Sequence, residues 1–212
     1  MRPGLDRTFV TLAVLGIGFR LLFAFSGWVE GSTISDDAYY YIVIAENVAS
    51  GHGSTFDGLA PTNGYHPLWM WTLAGLFRCL PPHFGLLPRA AVGACALLDL
   101  ITGWVLFRMV SEIRRRREAL WVAGLWFLSP FTLYISLRGM ESALSTLLLL
   151  LFAWSLMRLT PTGDRISPRS AASIGLLLGL AGLARTDNLL SAGLAGVITI
   201  SLPLLRERRF AR

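Results

Sequence analysis

Lysine is absent from this 212-residue chain, and charge of any kind is scarce, at 15% of residues against about a quarter in an ordinary soluble domain. That scarcity excludes a soluble globular enzyme. Two cysteines cannot build a disulfide framework. Both Cys79 and Cys95 fall in apolar stretches, where small core positions are expected. A Gly-rich nucleotide-phosphate loop closing on lysine is missing. What the chain has is oil: 54% hydrophobic residues, seven Trp, twelve Phe and a mean hydropathy of +0.57. These residues come in blocks of the length that membrane-spanning helices need, roughly 20 apolar residues each.

All nineteen basic residues are arginine. They flank apolar blocks and do not form one stripe, so no nucleic-acid partner is expected. The blocks are Thr8–Gly27, Leu86–Val110, Ala119–Leu137, Ser142–Met157, Ala171–Ala184 and Leu189–Leu205. A seventh stretch, Pro67–Leu80, would make a helix of roughly 21 Å, short of the ~30 Å hydrocarbon core. If it lies along the surface, fourteen of the nineteen arginines, including the run Arg114–Arg117, fall on the cytoplasmic side, in keeping with the positive-inside bias. The expectation is therefore an all-α integral membrane protein, a single transmembrane domain over residues 1–212 with about six spans and both termini cytoplasmic. The first block reads as an uncleaved helix despite its basic start and the cleavage-like Ala24-Phe25-Ser26.

Most of the outer polar residues lie in the first extracytoplasmic loop, 28–85. Ser35-Asp36-Asp37 opens a helix, with Ser as N-cap and acids at the positive end of the dipole. Ser50-Gly51 closes it. Register puts Asp36, Tyr39, Tyr40, Glu46 and Asn47 on one arc and the apolar residues on the rest, which suits a helix lying at a membrane surface. Turns follow at Gly51-His52-Gly53-Ser54, Asp57-Gly58 and Asn63-Gly64. Pro67 starts a second short helix that Pro81-Pro82 ends. Long loops of this kind are usually functional.

The stretches Ser35-Asp36-Asp37-Ala38-Tyr39-Tyr40-Tyr41, Gly51-His52-Gly53, Thr55-Phe56-Asp57-Gly58 and Pro61-Thr62-Asn63-Gly64-Tyr65-His66-Pro67-Leu68-Trp69 resemble the first extracytoplasmic loop of GT-C-fold membrane glycosyltransferases. Gly139-Met140-Glu141-Ser142 and Gly182-Leu183-Ala184-Arg185-Thr186-Asp187 extend the likeness. This family includes protein mannosyltransferases, aminoarabinose transferases acting on lipid A, and arabinofuranosyltransferases. The resemblance implies two juxtamembrane helices in the loop, a polyprenyl-phosphate sugar donor, and a glycan, lipid or protein acceptor. It maps the catalytic acid onto Asp36, with Asp37 beside it and Glu141 as a second acid at the cavity. Tyr40, Asn63, His66, Arg138 and Arg185 become the substrate-binding set. The expected location is the bacterial cytoplasmic membrane, with the active site facing outward among membrane lipids. No metal is required, although Asp36, Asp37 and Glu141 leave a divalent cation open as a cofactor.

Two charges fall inside the expected spans. Asp99 lies about 11 residues, roughly 16 Å, from Val110, and Arg20 about 12 residues, roughly 18 Å, from Thr8. A lone carboxylate at that depth is expensive and calls for a partner, so an Arg20–Asp99 structural ion pair is expected. Two other functions compete with the transferase. One is a truncated or non-catalytic GT-C-like subunit completed by a partner chain or oligomer, because family members are longer. The other is a small transporter or flippase, which six spans and an intramembrane acid would serve without explaining the first loop.

Overall fold

A computed structural model describes residues 7–26, 33–81, 85–159, 167–194 and 196–197. Among them there is no strand, only one isolated bridge between Thr55 and Pro61. The helices are α1 (Arg7–Phe25), α2 (Asp36–Ala49), α3 (Pro67–Phe77), α4 (Leu86–Ile113), α5 (Arg116–Leu128), α6 (Pro130–Ser136), α7 (Ser142–Leu159) and α8 (Pro168–Ala184). A further helix begins at 188. By length and composition, α1 and α4 are able to cross a membrane, and α5 with α6 makes a third if taken as one bent span. Helices α3, α7 and α8 are apolar but shorter. The end of the expected last block, and the arginines at 2, 165 and 206–212, lie outside the described residues.

The block Ala119–Leu137 was expected to be one span; it is broken at Ser129 and bent by 52°. The cause is Pro130, which has no N–H for the carbonyl of Trp126 and whose ring displaces the preceding turn. The freed carbonyls find other donors. Thr132 Oγ1 donates to Trp126 O at 2.6 Å, and the Arg20 guanidinium reaches across from α1 to donate to Phe127 O at 3.0 Å.

Arg20, with no exposed surface, also donates through Nε to Asp99 Oδ2 at 2.9 Å and through Nη1 to Gly16 O at 3.0 Å. Ser136, at the end of α6, hydrogen-bonds to both Arg20 and Asp99. The expected ion pair is present, and it joins α1 and α4 to both halves of the broken helix.

Packing around this network is tight because two glycines make room. Phe127 is fully buried between Gly16 and Gly103: a Cβ at Gly16 would sit 2.7 Å from its Cβ, and one at Gly103 would collide with its ring. Phe9 closes the cluster edge-on to Phe127, with ring centroids 5.9 Å apart. At the arginine-rich end, Glu112 of α4 holds Arg158 and Trp154 of α7, with the Arg158 guanidinium stacked 4.1 Å above the indole.

At the opposite end α2 and α3 pack on one another and on the first turns of α4 and α7. Ser35 caps α2 by accepting from Ala38 N. Gly51, at φ +85°, closes it with Gly51 N–H on Val48 O and His52 N–H on Asn47 O, the Schellman arrangement. Helices of 14 and 11 residues are marginal alone. Burial of Ile42, Ile44, Trp69, Met70 and Leu73 contributes about 1.5–3 kcal/mol each and fixes them in place. Cys95 is a core residue here, as expected, but Cys79 is exposed. Helix α3 stops at Phe77, which leaves Cys79 in the turn beyond it.

Arg20→Ala strands the Asp99 carboxylate and is expected to cost about 3–5 kcal/mol, read as loss of the monodisperse peak in detergent size exclusion. Adding Asp99→Asn should restore part of the yield, because the carbonyls of Gly16 and Phe127 still lack their donor. Equal, independent damage from the two changes would show that the charges are not coupled. Gly103→Ala should lower the thermal midpoint by overpacking, about 1–3 kcal/mol, and Phe127→Leu in the same chain should recover some of it.

Candidate functional site

Four elements of the loop-bearing end converge on Glu141, a carboxylate with 2% exposure. The chain leaves α6 and turns through Gly139 at φ +70°, a conformation that suits glycine. The turn is clamped on three sides. A Cβ at Gly139 would touch Ala38 of α2 and Ala91 of α4. Trp69 Nε1 of α3 donates to Gly139 O at 3.3 Å, and Cys95 Sγ of α4 to Met140 O at 3.4 Å. Glu141 O then accepts the first helical bond of α7, from Ser145 N. This places the Glu141 carboxylate at a helix N-terminus, where negative charge is favoured.

Glu141 Oε1 accepts from Arg185 Nη1 at 3.1 Å and lies 3.9 Å from His66 Nε2. Its second oxygen, Oε2, is buried and has no hydrogen-bond partner. Arg185 ends α8 in an extended conformation. Its Nε and Nη2 grip the two oxygens of Asp187, each at 3.0 Å. Asn188 ties the same turn to α7, donating to Ser145 Oγ at 2.8 Å and to Ala181 O at 2.9 Å. His66 is the N-cap residue of α3, yet its side chain makes no cap hydrogen bond and turns towards Glu141 instead.

Tyr41 completes the cluster. Its hydroxyl accepts from the His66 backbone N–H at 2.9 Å. Burial pushes the phenol above its ordinary range, with the Glu141 charge adding to the effect. The hydrogen bond from Arg185 holds the Asp187 carboxyl below its usual range, and Asp187 in turn raises the Arg185 guanidinium. The Arg185 guanidinium thus faces two carboxylates, Glu141 and Asp187.

The other expected site residues are dispersed. Asp36 and Asp37 are exposed in the first turn of α2 and make no side-chain bond among the described residues. At 100° per residue, Asp37 lies beside Tyr41 and Ile44 on the packed side, while Asp36 shares an arc with Tyr40 and Asn47. The 52–65 loop covers this arc at Tyr40 and Asn47 and leaves Asp36 exposed. Tyr40 hydrogen-bonds Thr62 at 2.7 Å and stacks on Phe56, and Asn47 donates to Thr55 O at 2.8 Å. Asn63 is exposed. Arg138 is engaged by Tyr134, through its hydroxyl at 2.6 Å and across its ring. Of the proposed binding set, only His66 and Arg185 meet Glu141. Asp36, Asp37 and Glu141 do not gather into a cation site, and among the described residues no three His, Cys, Asp or Glu side chains do.

The arrangement offers a buried acid with the Tyr41 hydroxyl at hand, beside a guanidinium fork occupied by an exposed carboxylate. A bidentate oxyanion such as a phosphate has the geometry to take that fork from Asp187. Tyr41 and Asp187 were not singled out as site residues from sequence. Tyr41 falls on the apolar arc of its helix and reads as filler, and Asp187 reads as a cap for the helix that follows.

A phenol raised in this way keeps its proton through the pH near 10 at which exposed tyrosines ionise. Its stabilisation is complete below that pH and is lost as the pH climbs towards the folded value. In an ultraviolet titration of the five tyrosines, one should ionise late, together with alkaline unfolding, and Tyr41→Phe should remove that step. Compared with known proteins, the chain matches no family model, no curated protein and no solved structure.

Proposed function

We propose that the chain is a GT-C-type membrane glycosyltransferase. It transfers a sugar from a polyprenyl-phosphate donor to an acceptor hydroxyl on the outer face of a bacterial cytoplasmic membrane. In this reading the shorter apolar helices also cross, giving about six spans, and α2 and α3 lie at the outer surface. The observation that supports it best is the Arg185 fork, locked to Glu141 and Asp187 at the end where α2 presents its paired acids.

The donor phosphate displaces Asp187 from Arg185, with His66 alongside. One of the Asp36–Asp37 pair takes the proton of the acceptor hydroxyl as its oxygen attacks the anomeric carbon. The bond from that carbon to the phosphate oxygen breaks, and its electron pair leaves with the polyprenyl phosphate, where Arg185 stabilises the developing charge. One displacement inverts the anomeric centre. Glu141 orients Arg185.

The full chain in lipid nanodiscs, given radiolabelled polyprenyl-phosphate pentoses and hexoses, should release polyprenyl phosphate. Asparagine at the base position, tested as Asp36→Asn and Asp37→Asn separately and together, should slow turnover by about 10²–10⁴-fold. Arg185→Ala should abolish turnover at any donor concentration tested. Turnover that survives the double Asn change overturns the assignment of the base.

A further inference from the structure

One apolar concavity lies at the other end of the bundle from Glu141. It is a groove of about 630 Å³ between α1 and α5, at the arginine-rich end of the bundle. Its walls are Leu12, Leu120, Trp121, Leu125 and Leu128, and it ends at the break, Ser129-Pro130. Trp121 and Leu125 are 65% and 68% exposed, so the apolar wall has no protein cover among the described residues. The groove owes its shape to two features already described. The 52° bend turns α6 away from the line of α5, and Gly124 leaves the floor open opposite Leu12, with 3.6 Å from an added Cβ to the nearest Leu12 carbon.

Charge gives the groove a direction. Among its lining residues the one charged side chain is Arg117, beside Thr8 at the mouth, and Arg117 is exposed with no ion-pair or hydrogen-bond partner among the described residues. It belongs to the run Arg114–Arg117. From Arg117 to Ser129 the helix climbs about 18 Å, close to the ~15 Å of one leaflet of a ~30 Å hydrocarbon core. A dry channel one leaflet deep with a cation at its mouth matches a molecule with an anionic head and a single straight apolar tail in contact. Clusters of basic residues at this position attract anionic lipid.

We infer that the α1–α5 groove is a binding site for an anionic glycerophospholipid of the leaflet at the arginine-rich end, one acyl chain lying along Leu120–Leu128 and the phosphate on Arg117. The inference rests on the membrane location of the chain and not on the transferase reading, and it concerns the end of the bundle opposite the candidate site. The lipid fills the wedge behind the helix break and holds α1 against α5.

The test uses the full chain in bilayers containing brominated phosphatidylglycerol or brominated phosphatidylcholine at equal mole fraction, with tryptophan fluorescence as the readout. Comparison with Trp121→Phe isolates the Trp121 contribution. Anionic lipid should quench Trp121 several-fold more effectively than zwitterionic lipid. Arg117→Gln should abolish the difference, and Gly124→Leu, which fills the floor, should reduce quenching by both. In the unmodified chain, high salt should erode the anionic preference by screening, so the outcome does not depend on either variant folding. Equal quenching by the two lipids, a preference that survives Arg117→Gln or high salt, or a Trp121 that neither lipid reaches would each overturn the inference.

Discussion

The bundle depends on one buried guanidinium. Proline in the middle of an apolar helix removes a hydrogen bond and exposes carbonyls where no water is at hand. Arg20 answers that need from the neighbouring helix, and its charge is in turn answered by Asp99. Neither half of this arrangement is tolerable alone. The arginine without the acid is an unpaired charge in an apolar interior, and the break without the arginine leaves a bare carbonyl. The two together fix the register of α1, α4 and the α5–α6 pair to within a hydrogen-bond length, and Ser136 sets where the second half-helix must end. One consequence is that the Gly139 turn, only three residues beyond Ser136, starts from a fixed point.

That fixed point links the interior network to the candidate site. The turn from α6 into α7 is held by Ala38, Trp69 and Cys95, so the position of Glu141 is set by α2, α3 and α4 together. Arg185 arrives from α8, which is tied to α7 through Asn188 and Ser145. The cluster is therefore an intersection of separately anchored elements, which is how a site gains precision beyond what any single loop supplies. The two ends of the bundle differ in kind: the cluster at one end is acidic on balance, whereas the other carries the Arg114–Arg117 run and the Glu112–Arg158–Trp154 latch.

Much of the scaffold was legible in the residues. The boundaries of α2 followed from Ser35 and Gly51 because caps are local and chemical. The Arg20–Asp99 pair followed from a solvation argument that needs only depth and sign. The break at Ser129 was missed because hydropathy averages over a proline, although Pro130 was there to be read. The site was legible only in part. Glu141, Arg185 and His66 do meet, but a residue's partners depend on helix crossings that sequence spacing does not encode. For that reason Tyr40, Asn63 and Arg138 end with local partners, while Tyr41 and Asp187 join the cluster unannounced. Asp36 and Asp37 stand where the sequence placed them, at the start of α2.

The loop over α2 is held by bonds of its own as well as by its contacts with Tyr40 and Asn47. Thr55 and Pro61 bridge, Ser54 bonds both Thr62 and Tyr65, and Asp57 accepts from the backbones of Leu59 and Ala60. Those backbone donors hold the Asp57 carboxyl below its ordinary range. Whatever approaches the Tyr40 side of α2 meets an edge already ordered, fastened to the helix through Tyr40 and Asn47.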